Sequence, residues 1–176
     1  MKAQCASLWL LGTTLVLCSV HTPALRRCPL FVDMHHLEDS FQEIKRAVQT
    51  KDTLQIITTL STVEILRSIK PTDVCCVTKN LLEFYMDRVF KDHQELKPQI
   101  LRKISSIANS FLYMQKTLRQ CVHRRCHYSE EATHATRTVH DNYDLLEIPS
   151  AAIKSLGELD VFLAWIDRNR READPV

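Results

Sequence analysis

"ILRKISSIANSFLYMQKTL" (residues 100–118) settles the fold class. Ile100, Ile104, Ile107, Phe111, Met114 and Leu118 recur at steps of four and three residues. That spacing lines the six side chains along one face of an α-helix of about five turns. A strand would alternate with period two, and this stretch does not. Such a helix gains most of its stability by burying its stripe on other helices.

The same pattern recurs on both sides. Met34, Leu37, Phe41, Ile44 and Val48 predict a first helix, with Glu38, Asp39, Glu43, Lys45 and Arg46 on its polar side. After the loop "QTKDTLQIITTL" (49–60), Ser61 and Glu64 form a capping-box pattern. Val63, Leu66 and Ile69 would be the inner face of that short helix, and Pro71 would stop it. A third helix starts near Thr72 or Asp73 and carries Val77, Leu81, Phe84, Tyr85 and Val89. Pro98 suits the first turn of the helix just described, because its missing N–H has no intrahelical partner there. Ser129 caps a fifth helix with Ala132, Ala135, Val139, Tyr143 and Leu146 inward, and Pro149 is expected to break it. Ser150 would cap a sixth helix carrying Ile153, Leu156, Leu159, Leu163 and Ile166. The charged tail from Arg168 is expected to fray. These six helices, with mostly short connections, predict an all-α bundle. Phe41, Phe84, Phe111, Phe162 and Trp165 are assigned to its core.

The chain start predicts the compartment. Lys2, then Leu8 to Leu11 and Leu15 to Leu17, then Thr22 and Ala24 at the −3 and −1 positions, describe a secretory signal peptide over 1–24. The domain is then 25–176, secreted and extracellular, with no later stretch apolar enough to insert in a membrane. Its net charge is near +1, and its basic residues occur as scattered pairs, which does not suit a nucleic-acid binder. Beyond the leader Gly157 is the only glycine. GxGxxG, Walker and GxSxG motifs are therefore excluded.

Cys5 and Cys18 leave with the leader, and Cys28, Cys75, Cys76, Cys121 and Cys126 remain. In a secreted chain most of them pair, and an odd number leaves one over. Cys75 and Cys76 are poorly placed to bond each other, because adjacent Cα atoms lie about 3.8 Å apart. All five fall at predicted helix ends, so one pole of the bundle could collect them. Zinc at Cys121, His123, Cys126 and His127 is the competing reading, but the spacing is not that of a finger and secretion favours oxidation. His35, His36, His93 and His140 are not tied to a nucleophile and a stabiliser, so no enzyme, metal or cofactor is expected. Glu130 and Glu131 read as helix-dipole partners rather than an acid–base pair.

"DMHHLEDSFQEIKRAVQTKD" (33–52), "IKPTDVCCVTKNLLEFYMDRVFKDHQE" (69–95), "ILRKISSIANSFLYMQKTLRQC" (100–121) and "AAIKSLGELDVFLAWID" (151–167) together resemble the interleukin-10 family of helical cytokines. "KSLGELDVFLAWI" is the most specific of these, and the double cysteine marks one branch. The resemblance implies a compact, disulfide-linked bundle of six or seven helices of the four-helix cytokine type, acting as a monomer without catalysis. It implies binding to a heterodimeric class II cytokine receptor, the interleukin-20 receptor alpha and beta subunits, and signalling through Janus kinases and STAT factors. It also implies Cys28–Cys121 and Cys75–Cys126 bonds, each worth roughly 4–5 kcal/mol on a chain-entropy estimate. Cys76 is then an unpaired thiol, because Tyr128 stands where that branch has a further cysteine; the sequence itself does not choose between Cys75 and Cys76. N-glycosylation is not expected, since no N-x-S/T triplet occurs.

The family's receptor faces map onto two sets of residues. The first comprises Lys45, Gln49, Lys51, Asp52, Lys154, Glu158 and Asp160, with the outward side of 154–168. The second comprises Arg88, Lys91, Arg102 and Lys103. For each, the competing reading is an ordinary solvated charge. The alternative function is a secreted helical carrier, which would need an internal ligand pocket.

Overall fold

The structure, a computed structural model, describes residues 4–10, 13–19, 32–53, 58–60, 66–92, 96–121 and 128–173. Six helices stand out among them: α1 (Met34–Gln49), α2 (Val74–Phe84), α3 (Pro98–Cys121), α4 (Glu130–Asp144), α5 (Ile148–Gly157) and α6 (Leu159–Ala173). α1 packs on α3, α5 and α6, while α2 packs on α3 and α4, and α4 also reaches α5. The all-α bundle expected from the periodicity is the architecture observed. Two strands, β1 (Gln4–Leu10) and β2 (Thr13–Ser19), pair antiparallel in the segment read as a leader. They pair with each other from Gln4 opposite Ser19 to Leu10 opposite Thr13.

Among the described residues each predicted stripe faces inward. Leu37, Phe41, Ile44 and Val48 of α1 meet Ile104, Ile107, Phe111, Met114 and Leu118 of α3 in one buried core. At its centre the Tyr85 and Phe162 rings stack at 5.6 Å, and Phe111 meets both edge-on. Trp165 belongs to this core, and its indole N–H donates to the Leu66 carbonyl at 2.8 Å. Such aromatic pairs each add about 0.5–1.5 kcal/mol beyond the area they bury.

α2 continues as a π turn over Tyr85–Val89, closed by Phe90 N–H to the Tyr85 carbonyl at 2.9 Å. The extra residue in this turn brings Tyr85 and Phe90 to the same side, and both are buried. Periodicity at 3.6 does not predict this, since it assumes a regular helix.

The expected boundaries hold at Pro98, which opens α3, and at Ser129, whose hydroxyl accepts from Ala132 N–H at 3.2 Å. The first helix has a cap that its apolar pattern does not reveal: Asp33 accepts from His36 N–H at 3.0 Å. Three expectations change. Pro149 does not simply break a helix but lies in the first turn of α5, where it sacrifices no hydrogen bond, so Ser150 is not the cap. The predicted sixth helix is two, interrupted at Glu158, whose backbone leaves helical geometry (φ −98°, ψ 6°). The tail expected to fray stays helical to Ala173, with Arg170 and Arg171 both paired to Asp167. Of the short helix expected at 61–69, Leu66 and Arg67 are helical, and 61–65 lie outside the described residues.

The cysteine assignment is also corrected. Cys76 is disulfide-bonded, and Cys75 is the free cysteine among the described residues. Cys76 is buried at 9% exposure, whereas Cys75, one step around the helix, is half-buried against the edge of the core. The more deeply buried residue of the pair is the one engaged. Its partner is not among the described side chains, and Cys28, Cys121 and Cys126 are likewise outside them.

Candidate functional site

The end of α1, the chain just after it and the α5–α6 junction converge on one side of the bundle. Lys45 Nζ of α1 lies 2.6 Å from Asp160 Oδ2 of α6, both part-exposed. One turn further along α1, Gln49 is exposed, as is Lys51. Asp52 Oδ2 receives Lys154 Nζ at 2.8 Å, and Lys154 Nζ also stands 3.8 Å from Glu158 Oε1.

Glu158 carries most of the remaining polar contacts. Its Oε2 accepts from Leu60 N–H at 2.7 Å, and from the Thr59 N–H and hydroxyl, each at 3.0 Å. Ser155, fully buried, donates its hydroxyl to Thr59 Oγ1 at 3.0 Å. The Ser155 carbonyl in turn accepts from the buried Tyr85 hydroxyl at 2.9 Å. Burial pushes the Glu158 carboxyl above its ordinary value, while the bonds from Leu60 and Thr59 and the charge of Lys154 pull the other way. Three donors on one oxygen favour the charged form; desolvation is what they have to overcome.

The seven first-set residues thus lie together, as the sequence suggested, but not all face outward. Lys154 is only 7% exposed, which corrects its assignment to the outward side of 154–168. A lysine on a helix reads as solvated unless its partner is known, and Asp52 lies 102 residues away. Thr59, Ser155 and Tyr85 belong to the same network. Sequence reading missed them because a Thr, a Ser and a core Tyr carry no local sign of what they will bond.

The second set is spread over different helix pairs. Arg88, in the π turn, pairs with Asp144 of α4 and lies 4.3 Å over the Tyr143 ring. Lys103 of α3 reaches Glu43 of α1 at 2.6 Å. Lys91 pairs along its own chain with Asp87, and Arg102 is exposed. Arg88 holds the Asp144 carboxyl below its ordinary value through their hydrogen bond. Next to this pair His140 Nε2 sits 3.2 Å from Asn80 Oδ1 and meets the Phe84 ring edge-on.

Two solvent-open clefts flank the first set. One of about 540 Å³ runs between Leu66–Arg67 and the Asp160, Trp165 and Arg168 side of α6. The other, about 280 Å³, lies between Thr50–Thr53 and Pro149–Ile153. Both are surface features beside a filled core, so neither supplies the internal pocket that a carrier would need. Among the described residues no group of three or more His, Cys, Asp or Glu could hold a metal, and no helix is long and apolar enough to cross a membrane. The zinc candidates Cys121, His123, Cys126 and His127 have no described side chains.

Comparison with known proteins agrees with this architecture. A family model described as Interleukin 10 matches residues 19–170. The chain is 72% identical to human interleukin-19 over 170 residues, covering 96% of each sequence. It is 66% identical to mouse interleukin-19, covering 98% of each. The crystal structure of human interleukin-19 superposes with a TM-score of 0.75 at 73% identity, over 82% of this chain and 94% of that one. With a family model matching most of its length and a relative 72% identical over nearly all of it, the chain belongs to the interleukin-10 family of cytokines, which are not enzymes.

Proposed function

We propose that residues 1–24 are a secretory signal and that 25–176 act outside the cell as a monomeric cytokine. It joins the two chains of a class II cytokine receptor, the interleukin-20 receptor alpha and beta subunits. Janus kinases on the joined chains then phosphorylate STAT factors. The observation that carries this reading is family membership combined with a rigid helical body whose charged groups are displayed on its outside.

Bridging needs two surfaces at a fixed separation, so stiffness matters more than any reactive group. Gln49, Lys51 and the Lys45–Asp160 pair supply the exposed part of the first surface. Arg88, Lys91, Arg102 and Lys103 are the candidates for the second. Binding energy normally concentrates in a few anchors within such a surface.

Purified 25–176 is expected to bind the paired receptor ectodomains. It is also expected to raise STAT phosphorylation only in cells that display both chains. Folded protein that engages neither ectodomain and leaves STAT unphosphorylated would rule the assignment out.

A further inference from the structure

Four points of the connection between α1 and α2 are held by side chains from one continuous side of α5 and α6. Asp52 is held by Lys154 at 2.8 Å, and Thr59 and Leu60 by Glu158 at 2.7–3.0 Å. Ser155 supports Thr59 from below at 3.0 Å, and Trp165 takes the Leu66 carbonyl at 2.8 Å. Thr59 and Leu60 are buried by this arrangement, with 0% and 3% exposure. Loop backbone buried in this way must find partners, and here one carboxylate oxygen supplies two consecutive amides and a hydroxyl.

We propose that Lys154 and Glu158 are positioning residues, which fix the chain after α1 against the α5–α6 junction and thereby set the first receptor surface, rather than residues that touch the receptor. The inference rests on the receptor reading above. It follows from burial and from the contacts already made. Lys154 is buried and ion-paired, Glu158 Oε2 accepts three bonds, and Glu158 Oε1 is buried 3.8 Å from Lys154 Nζ, so neither side chain presents a polar atom to a partner. What a partner meets instead is Gln49, Lys51 and the Lys45–Asp160 pair, whose surroundings those two residues hold in place. The helix break at Glu158 is part of the device, because it lies where the side chain turns to the loop.

The test uses Glu158→Ala and Glu158→Gln in 25–176. Glutamine keeps an acceptor oxygen for Thr59 and Leu60 but no charge. Hydrogen exchange at the Thr59 and Leu60 amides is read beside exchange in α3 and beside association with each receptor ectodomain. Glu158→Ala is expected to speed exchange at those two amides by about tenfold or more, with α3 unchanged, since the loss is local. It should weaken receptor binding by at least about tenfold, with much of the effect in association, because the surface is no longer preorganised. Glu158→Gln should restore most of both. If Glu158→Ala does not fold, Thr59→Val removes one of the three donors and should give a smaller change in the same direction.

Normal binding with fast exchange overturns the proposal. So does a glutamine variant that exchanges slowly yet binds as poorly as alanine, since the charge would then be touching the receptor. Failure of the unmodified chain to bind either ectodomain overturns the receptor reading, and with it the positioning role. The exchange rates still report whether Glu158 holds the loop.

Discussion

Gly157 is a position whose role is set by what lies across from it. It is buried at the end of α5, facing α1. Close approach of another helix would explain a glycine in a helical run, and α1 does come near. A methyl group added there would meet Gln49 Cγ at 3.9 Å and Val48 Cγ1 at 4.0 Å, which is ordinary contact. Gly157→Ala is therefore expected to raise stability by about 0.5–1 kcal/mol, chiefly by restricting the unfolded chain. Denaturant titration measures this, and a lower midpoint would mean that α1 requires the bare backbone. Lys154 is another such position. Its charge suggested the surface, but its partner arrives from Asp52, which no local pattern foretells.

Between elements, the contact of α2 with α4 contains a titratable group that the expected function does not use. His140 of α4 packs on Phe84 and bonds Asn80, both from α2. Burial, and then the charge of Arg88, hold its imidazole below the ordinary value of 6.5, against weaker opposition from Asp144 and Asp141. The unfolded chain therefore binds a proton more readily than the folded one. The contribution of His140 to stability is present above the unfolded value and declines as pH falls below it. Against His140→Gln, the wild-type chain should lose stability progressively from about pH 7 to pH 5. Urea midpoints measured in parallel at each pH check this, and curves that stay parallel would contradict it. At the other end of α4, the structure supports the sequence reading of Glu130–Glu131 at a helix start. The Glu131 carboxyl is held at about 2, first by its own backbone N–H and then by Lys70. The break between α5 and α6 was not legible in the same way. The apolar stripe runs on from Leu156 to Leu159 across it, and what interrupts the helix is the reach of Glu158 to a distant loop.

Across the whole molecule, the disulfide at Cys76 secures the start of α2, beside which Cys75 keeps its thiol. Cys76→Ser should cost about 2–5 kcal/mol, the usual loss when a small secreted domain gives up a native bridge. Cys75→Ser, at a half-buried residue that packs on the edge of the core, should cost less, about 1 kcal/mol. Thiol labelling of the native chain followed by peptide mass analysis should find Cys75 modified and Cys76 protected; the reverse labelling would restore the original assignment. By itself the sequence determined the helical class, the inward stripe of each main helix and the aromatic core. Those follow from the spacing of apolar residues within a few turns, a local property that burial then enforces. Tertiary structure alone decided which of two adjacent cysteines is bonded, where the last helix divides, and that Lys154 and Glu158 hold a loop. Each of those depends on a partner far away in the chain, and a polar side chain's role is set by the partner that comes within hydrogen-bond reach once the chain has folded.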